Sequence, residues 1–248
     1  MTYLAAVTGK GGTGKTTVSA FLVRLLLDKG IRPVLAVDAD PNSSLAPLVG
    51  VAPGPTISDM REEVLEAKGN VTEIPKERIL GMKLEESIVE ANGFDLLSMG
   101  RPEGAACYCY VNTLLRGALA RLKSNYRVTV VDNEAGMEHL SRMNTDSIDC
   151  LVVVSEPTAA SARAAGRICA LSEGLPVAVR RKVLVWNKTG PSGVPEAARQ
   201  VLAGRTFDET VILPADEQVE QLSATEQSAL KAAMPEPFTR LLDACIIV

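Results

Sequence analysis

The sequence predicts an α/β protein, with a mostly parallel sheet flanked by helices on both faces. Three observations predict it. Short apolar runs, too continuous to alternate between core and solvent, recur along the 248 residues and read as buried parallel strands. Stretches with helical spacing separate these runs, which is the rhythm of βαβ units. The first run ends in a glycine-rich turn that leads straight into a helical stretch.

Taken in order, β-branched or leucine-rich runs place strands at residues 3–8, 33–38, 94–99, 127–132, 150–155 and 183–186, with another near 210–213. Helical spacing marks 15–29, 111–123, 158–173, 194–203 and 216–232. Residues 51–92 break the rhythm: Pro53, Pro55, Pro75 and several glycines are mixed with the acidic helical stretch Ser58 to Lys68. They are expected to form an insertion of helices and loops near the sheet edge. No repeat, low-complexity tract or linker divides the chain, so residues 1–248 are expected to form a single domain.

A net charge of -4, with Arg180-Arg181-Lys182 as the densest basic run, argues against nucleic-acid or anionic-lipid partners, which call for clustered cations. The chain opens directly into Tyr3-Leu4-Ala5-Ala6-Val7 without a basic leader, and no stretch is apolar enough to span a bilayer. Five cysteines, an odd number, read as free thiols or metal ligands, and the expected location is the reducing cytoplasm. The terminal Cys245-Ile246-Ile247-Val248 has the form of a prenylation box. It lacks a polybasic neighbour and reads as a frayed hydrophobic end.

Residues 9–17 read Gly-Lys-Gly-Gly-Thr-Gly-Lys-Thr-Thr between a strand and a helix, the context that the Walker A phosphate loop requires. Gly11, Gly12, Thr13 and Gly14 let backbone amides turn toward phosphate oxygens, and the helix N-terminus adds partial positive charge. Lys15 is expected to reach the β and γ phosphates of ATP, the Thr16 hydroxyl to coordinate Mg²⁺, and Thr17 to reach the α phosphate.

Lys10 departs from an ordinary Walker A. The string Lys-Gly-Gly-Thr-Gly-Lys-Thr resembles the deviant signature of the P-loop NTPase superfamily that includes the nitrogenase iron protein and the cell-division positioning (MinD) and plasmid-partition (ParA) ATPases. The resemblance implies a Mg-dependent ATPase that turns ATP into ADP and phosphate. It also implies a homodimer in which Lys10 crosses the interface to the partner's nucleotide and stabilises charge that develops on the phosphoryl group.

Two strand ends supply carboxylates where open α/β sheets place their chemistry. In Val37-Asp38-Ala39-Asp40-Pro41, Asp40 matches the family's water-activating aspartate, and Asp38 is expected to be a structural or outer-sphere Mg²⁺ partner. Asp-Pro-Asn-Ser is also good turn chemistry, and the two readings are compatible. Asp132 closes an apolar run in the Walker B manner, holding Mg²⁺ through water. The spacing from Asp132 to Gly136 resembles the second switch, in which the glycine amide senses the γ phosphate, and Glu134 stands beside it. Asn187-Lys188, after a late strand, resembles an adenine-reading turn, with Pro214 and Asp216 in the loop that covers the other face of the base. An asparagine there otherwise serves as a turn former.

Cys107-Tyr108-Cys109 precedes a helix. Two thiolates cannot complete a tetrahedral soft-metal site, but the implied dimer doubles them to four sulfurs, enough for Ni²⁺, Zn²⁺ or an iron–sulfur centre. Without a dimer they are two idle thiols. Cys150, Cys169 and Cys245 read as core or idle thiols.

With Ser98-Met99-Gly100 and the stretch Glu134 to Leu140, the cysteine pair resembles the CooC-type ATPases over nearly the whole chain. That resemblance implies a metallochaperone, a maturation factor for nickel insertion into carbon monoxide dehydrogenase or acetyl-CoA synthase. Its client would be that nickel enzyme. Two alternatives come from the same superfamily. A MinD/ParA-like positioning ATPase needs a membrane or DNA surface, and the segment from Glu236 carries only Arg240 as a base. An iron–sulfur reductase needs a cysteine where His139 stands.

Overall fold

The computed structural model describes residues 2–60, 82–101, 108–134, 147–174 and 177–246, apart from the side chains of 108–110, 112 and 223. Residues 61–81 of the expected insertion, Cys107, Gly136 and His139 lie outside the described residues, as does the side chain of Cys109.

Strands β1 (Tyr3–Gly9), β2 (Val34–Ala39), β3 (Ile88–Glu90), β4 (Phe94–Ser98), β5 (Val128–Asn133), β7 (Cys150–Ser155), β9 (Lys182–Thr189) and β10 (Glu209–Pro214) form one sheet. Its order is β10-β9-β7-β1-β5-β2-β4-β3. The seven central and distal strands pair in parallel, and only β3 runs antiparallel, against β4 at the edge. Two further short strands, β6 (Ser147–Ile148) and β8 (Ala178–Val179), pair with each other.

Alternation along the central strands supplies two cores. Ala5 and Val7 of β1 with Ala36 of β2 face one, under helices α1 (Lys15–Asp28), α2 (Leu45–Leu48) and α7 (Glu236–Cys245). Leu4 and Ala6 with Leu35 face the other, under α3 (Tyr108–Leu122), α4 (Ala159–Glu173) and α5 (Glu196–Val201). Both faces are covered, as continuous apolar strands demand.

Three expectations need correction. The helix expected over 216–232 is α6 (Glu217–Ala224), and its continuation turns at Glu226, whose φ is +51°. Of the expected frayed end, Cys245 and Ile246 are buried and 247–248 lie outside the described residues; Phe238, Leu241, Leu242 and Cys245 recur at helical spacing and are all buried in α7. Phe238 meets Phe21 of α1 with ring centroids 4.6 Å apart. Cys245 is therefore a core thiol. Residues 88–90, expected to lie in loops and helices, include the edge strand β3. Among the described residues, no helix is long and apolar enough to cross a membrane.

Candidate functional site

The parallel strands all deliver their carboxyl ends to one side, where a cleft of about 880 Å³ opens. Gly11, Gly12, Gly14, Lys15, Thr16 and Thr17 line one wall. Asp40, Asn42 and Glu134 come from the ends of β2 and β5, and Asn187, Lys188, Pro214 and Asp216 from those of β9 and β10. Of the sequence-derived site residues, Gly11, Gly12, Gly14, Lys15, Thr16, Thr17, Asp40, Asn187, Lys188, Pro214 and Asp216 thus meet in one place.

The phosphate loop is built by its own hydrogen bonds. Thr13 Oγ1 donates to Lys10 O at 2.8 Å, and the Thr13 N–H reaches the same carbonyl at 3.4 Å. Thr13 is buried and does not line the cleft; it closes the loop. Gly14, with φ +89°, takes the left-handed conformation that swings the chain into α1, and Val18 N donates to Gly14 O at 3.0 Å to begin the helix. Lys15 is 8% exposed, with its Nζ 3.5 Å from Lys10 O. Lys10 itself is exposed and stands outside the cleft wall.

Asn187 and Lys188 are bound to this loop through two successive carbonyls. Asn187 Nδ2 donates to Thr13 O at 2.8 Å, and Lys188 Nζ donates to Gly12 O at 2.9 Å. Lys188 also pairs with Glu156 at 3.0 Å. One N–H of the Asn187 amide is engaged at Thr13 O, and its Oδ1 is an acceptor suited to the exocyclic amino group of adenine. Asp216 Oδ1 caps α6, accepting from Gln218 N and Val219 N at 2.9 and 3.1 Å.

Of the two carboxylates at the end of β2, only Asp40 reaches the cleft. Its Oδ1 accepts from Asn42 N and Nδ2, both at 2.9 Å, so the turn chemistry and the switch position coincide. Asp38 is fully buried and is not part of the cleft wall. Its oxygens accept from Asp40 N at 3.1 Å and Leu45 N at 2.8 Å, so it holds the turn and α2. Burial pushes its carboxyl up to about 6 against the pull of those two amides, with nearby Asp40 raising it further.

Asp132 is buried at the end of β5. Oδ1 accepts from Ser19 Oγ at 3.1 Å, and Oδ2 is buried without a hydrogen-bond partner. Burial first, then the charge of Asp38, raises its carboxyl to about 7; Thr16, Ser19 and Lys15 pull the other way. An orphaned carboxylate oxygen beside the Thr16 hydroxyl is a donor set that fits a hard divalent cation such as Mg²⁺.

Sequence reasoning missed Ser19 and Glu156. Ser19 lies one turn into α1 from Lys15, on its buried side. Glu156 immediately follows β7, and the strand-end rule that found Asp40 and Asp132 also reaches it. Nothing in the sequence paired it with Lys188. The metal expectation at Cys107 and Cys109 falls outside the described side chains; among the described residues no group of three or more His, Cys, Asp or Glu side chains is poised to hold a metal ion.

Comparison with known proteins follows the same lines. The family profile described as CbiA, the CobQ/CobB/MinD/ParA nucleotide binding domain, matches residues 4–229. An uncharacterized ATP-binding protein of Methanocaldococcus jannaschii is 41% identical over 192 residues, covering 76% of this chain and 75% of that protein. The carbon monoxide dehydrogenase accessory protein CooC of Rhodospirillum rubrum is 37% identical over 185 residues, covering 68% and 69%. Among solved structures, the cell division ATPase MinD of Pyrococcus furiosus superposes with a TM-score of 0.68 at 20% identity, covering 98% of both chains. A ParA family ATPase of Chlorobium tepidum also reaches 0.68, at 21% identity with 98% of both chains covered.

Proposed function

The chain belongs to the CobQ/CobB/MinD/ParA family of nucleotide-binding P-loop proteins, and from that premise we propose that it is a dimeric ATPase serving nickel-enzyme maturation. The observation that carries the maturation reading is the 37% identity to the carbon monoxide dehydrogenase accessory protein, shared over two thirds of both chains. The cleft carries the ATPase reading.

In this reading Lys15 neutralises the β and γ phosphates from a position already held by the loop. Thr16 and Asp132 would hold Mg²⁺, which when bound supplies charge neutralisation along the phosphate chain. Asp40 orients the attacking water through Oδ2, since Oδ1 is occupied by Asn42. Lys10, exposed and off the cleft wall, stands as a residue acting on a partner subunit's nucleotide would. Asn187 Oδ1 accepts from the exocyclic amino group of adenine.

The cargo is a soft divalent metal, Ni²⁺ or Zn²⁺, taken by Cys107 and Cys109 of both subunits of the dimer. The client is carbon monoxide dehydrogenase or acetyl-CoA synthase. ATP closes the dimer, and hydrolysis opens it and releases the metal.

The deciding experiment is anaerobic metal counting per dimer with and without ATP, in wild type and in the Cys107→Ser/Cys109→Ser double variant. One metal per wild-type dimer and none in the variant is expected. Equal metal content in both proteins sinks the cargo assignment, while retained ATP turnover in the variant leaves the ATPase assignment standing.

A further inference from the structure

One end of the sheet is uncovered on a single face. Strand β10 is the terminal strand. Val211 and Leu213 are buried on one side, whereas Thr210 and Ile212 on the other are exposed, Ile212 by 49%. Beside them Leu184, Trp186, Leu202 and Phe207 line an apolar groove of about 370 Å³, which Arg199 and Arg205 also border.

The groove has an uncompensated charge. Among the described residues, no carboxylate lines it. Arg199 Nε donates to the carbonyl of Val194 at 3.2 Å, and Arg205 lies over Gly166 of α4, its Cγ 3.9 Å from where a Cβ would stand there. Among the described residues neither guanidinium has an ion-pair partner. Glu209, at the start of β10, is paired with Arg181, and alternation sets it on the other face with Val211. In a chain of net charge -4, two free cations over an uncovered apolar strip are the complement of an acidic partner. Among the described residues, no strand pairs with the outer edge of β10, so its alternate N–H and C=O groups are open.

We propose that this edge and groove bind an extended acidic segment of a partner polypeptide. The segment adds a strand beside β10, so main-chain hydrogen bonds supply affinity and alternate side chains supply selectivity. On its groove-facing side it carries apolar residues over Trp186, flanked by carboxylates for Arg199 and Arg205.

Trp186 is the single tryptophan of the chain, so its fluorescence reports this groove alone. The probe is a synthetic peptide, Glu-Thr-Val-Thr-Val-Thr-Glu, whose odd positions share a face; its control has Lys for both Glu. The acidic peptide is expected to shift Trp186 emission saturably, with affinity at least ~10-fold above the Lys peptide and weakening as salt rises. The Arg199→Glu/Arg205→Glu variant should reverse that preference, with ATP binding unchanged because both residues lie outside the nucleotide cleft. Should that variant misfold, Ile212→Lys, at an exposed site, should abolish the response. Equal responses to both peptides, no response to either, or an unreversed preference in the folded double variant overturns the proposal. Self-association that the double variant removes, without any peptide response, would assign the face to a second copy of this chain instead and also overturns it.

Discussion

Asp38 and Asp132 stand directly opposite each other on the adjacent parallel strands β2 and β5, and both carboxyls lie on the α1 side of the sheet. Only their partners differ. Backbone amides satisfy Asp38, while Asp132 keeps one oxygen unpartnered. Two buried acids side by side favour protonation, and this makes the site sensitive to pH.

Folded-state values of about 6 for Asp38 and about 7 for Asp132 stand above the unfolded carboxyl value of 3.8. Below that unfolded value both states are protonated and the two groups contribute nothing to the pH dependence. From there up to about 7 the unfolded chain releases protons that the folded chain retains, so the stability of the nucleotide-free protein falls as pH rises, then levels off. Asp132→Asn has no such proton. Its stability relative to wild type should therefore grow between pH 4.5 and 7, measured by thermal unfolding without nucleotide; a difference flat in pH counts against the assignment. Mg²⁺ affinity should rise over the same window, because the cation needs the carboxylate.

Removing Asp38 tests its holding role. Asp38→Ala strands the amides of Asp40 and Leu45, and a cost of about 2–4 kcal/mol is expected in denaturant unfolding. Asp38→Asn, which keeps an acceptor, should lose less.

Gly14→Ala strikes the joint between loop and base turn. An added Cβ would stand 2.4 Å from Asn187 Nδ2, at a backbone φ of +89° that side chains rarely adopt. A loss of roughly 1–3 kcal/mol of stability, with ATP affinity down by more than about tenfold, is the expected result of denaturation and nucleotide titration.

The two loop lysines should separate kinetically. Lys15→Ala should lose nucleotide affinity together with turnover. Lys10→Ala, altering an exposed side chain, should keep ATP binding within a few-fold while turnover drops by about 10³ or more, as for a charge supplied in trans. Full activity in Lys10→Ala would remove the basis for the dimer.

Asp40→Asn should lower turnover by roughly 10²–10⁴ with little change in ATP affinity. The Asx turn to Asn42 survives in this variant, since an amide oxygen still accepts, so loss of stability is not expected.

Much of the architecture was legible because long apolar strands announce themselves. The runs ending in Thr8, Asp38, Met99, Asp132 and Ser155 became central parallel strands within a residue or so. The phosphate-loop string pointed to Lys15, the strand-end rule to Asp40 and the family resemblance to Asn187 and Asp216, and all four line one cleft. Ile88–Glu90 escaped because three half-exposed edge residues leave no pattern. The stripe Phe238, Leu241, Leu242, Cys245 was readable from its helical spacing. Partnerships across the fold were invisible: that Lys188 would turn to Glu156 and Gly12 depends on which strand ends become neighbours, a property of strand order.

If Asn187 and Lys188 read the base as proposed, their two bonds to the carbonyls of Thr13 and Gly12 make recognition of the nucleobase and grip on the phosphates a single mechanical part. Base preference in this protein is then not a separable module. On that reading, a substitution that retunes the base turn would also shift the alignment of the phosphate loop, so nucleotide choice and turnover rate would drift together under selection or in an engineering campaign.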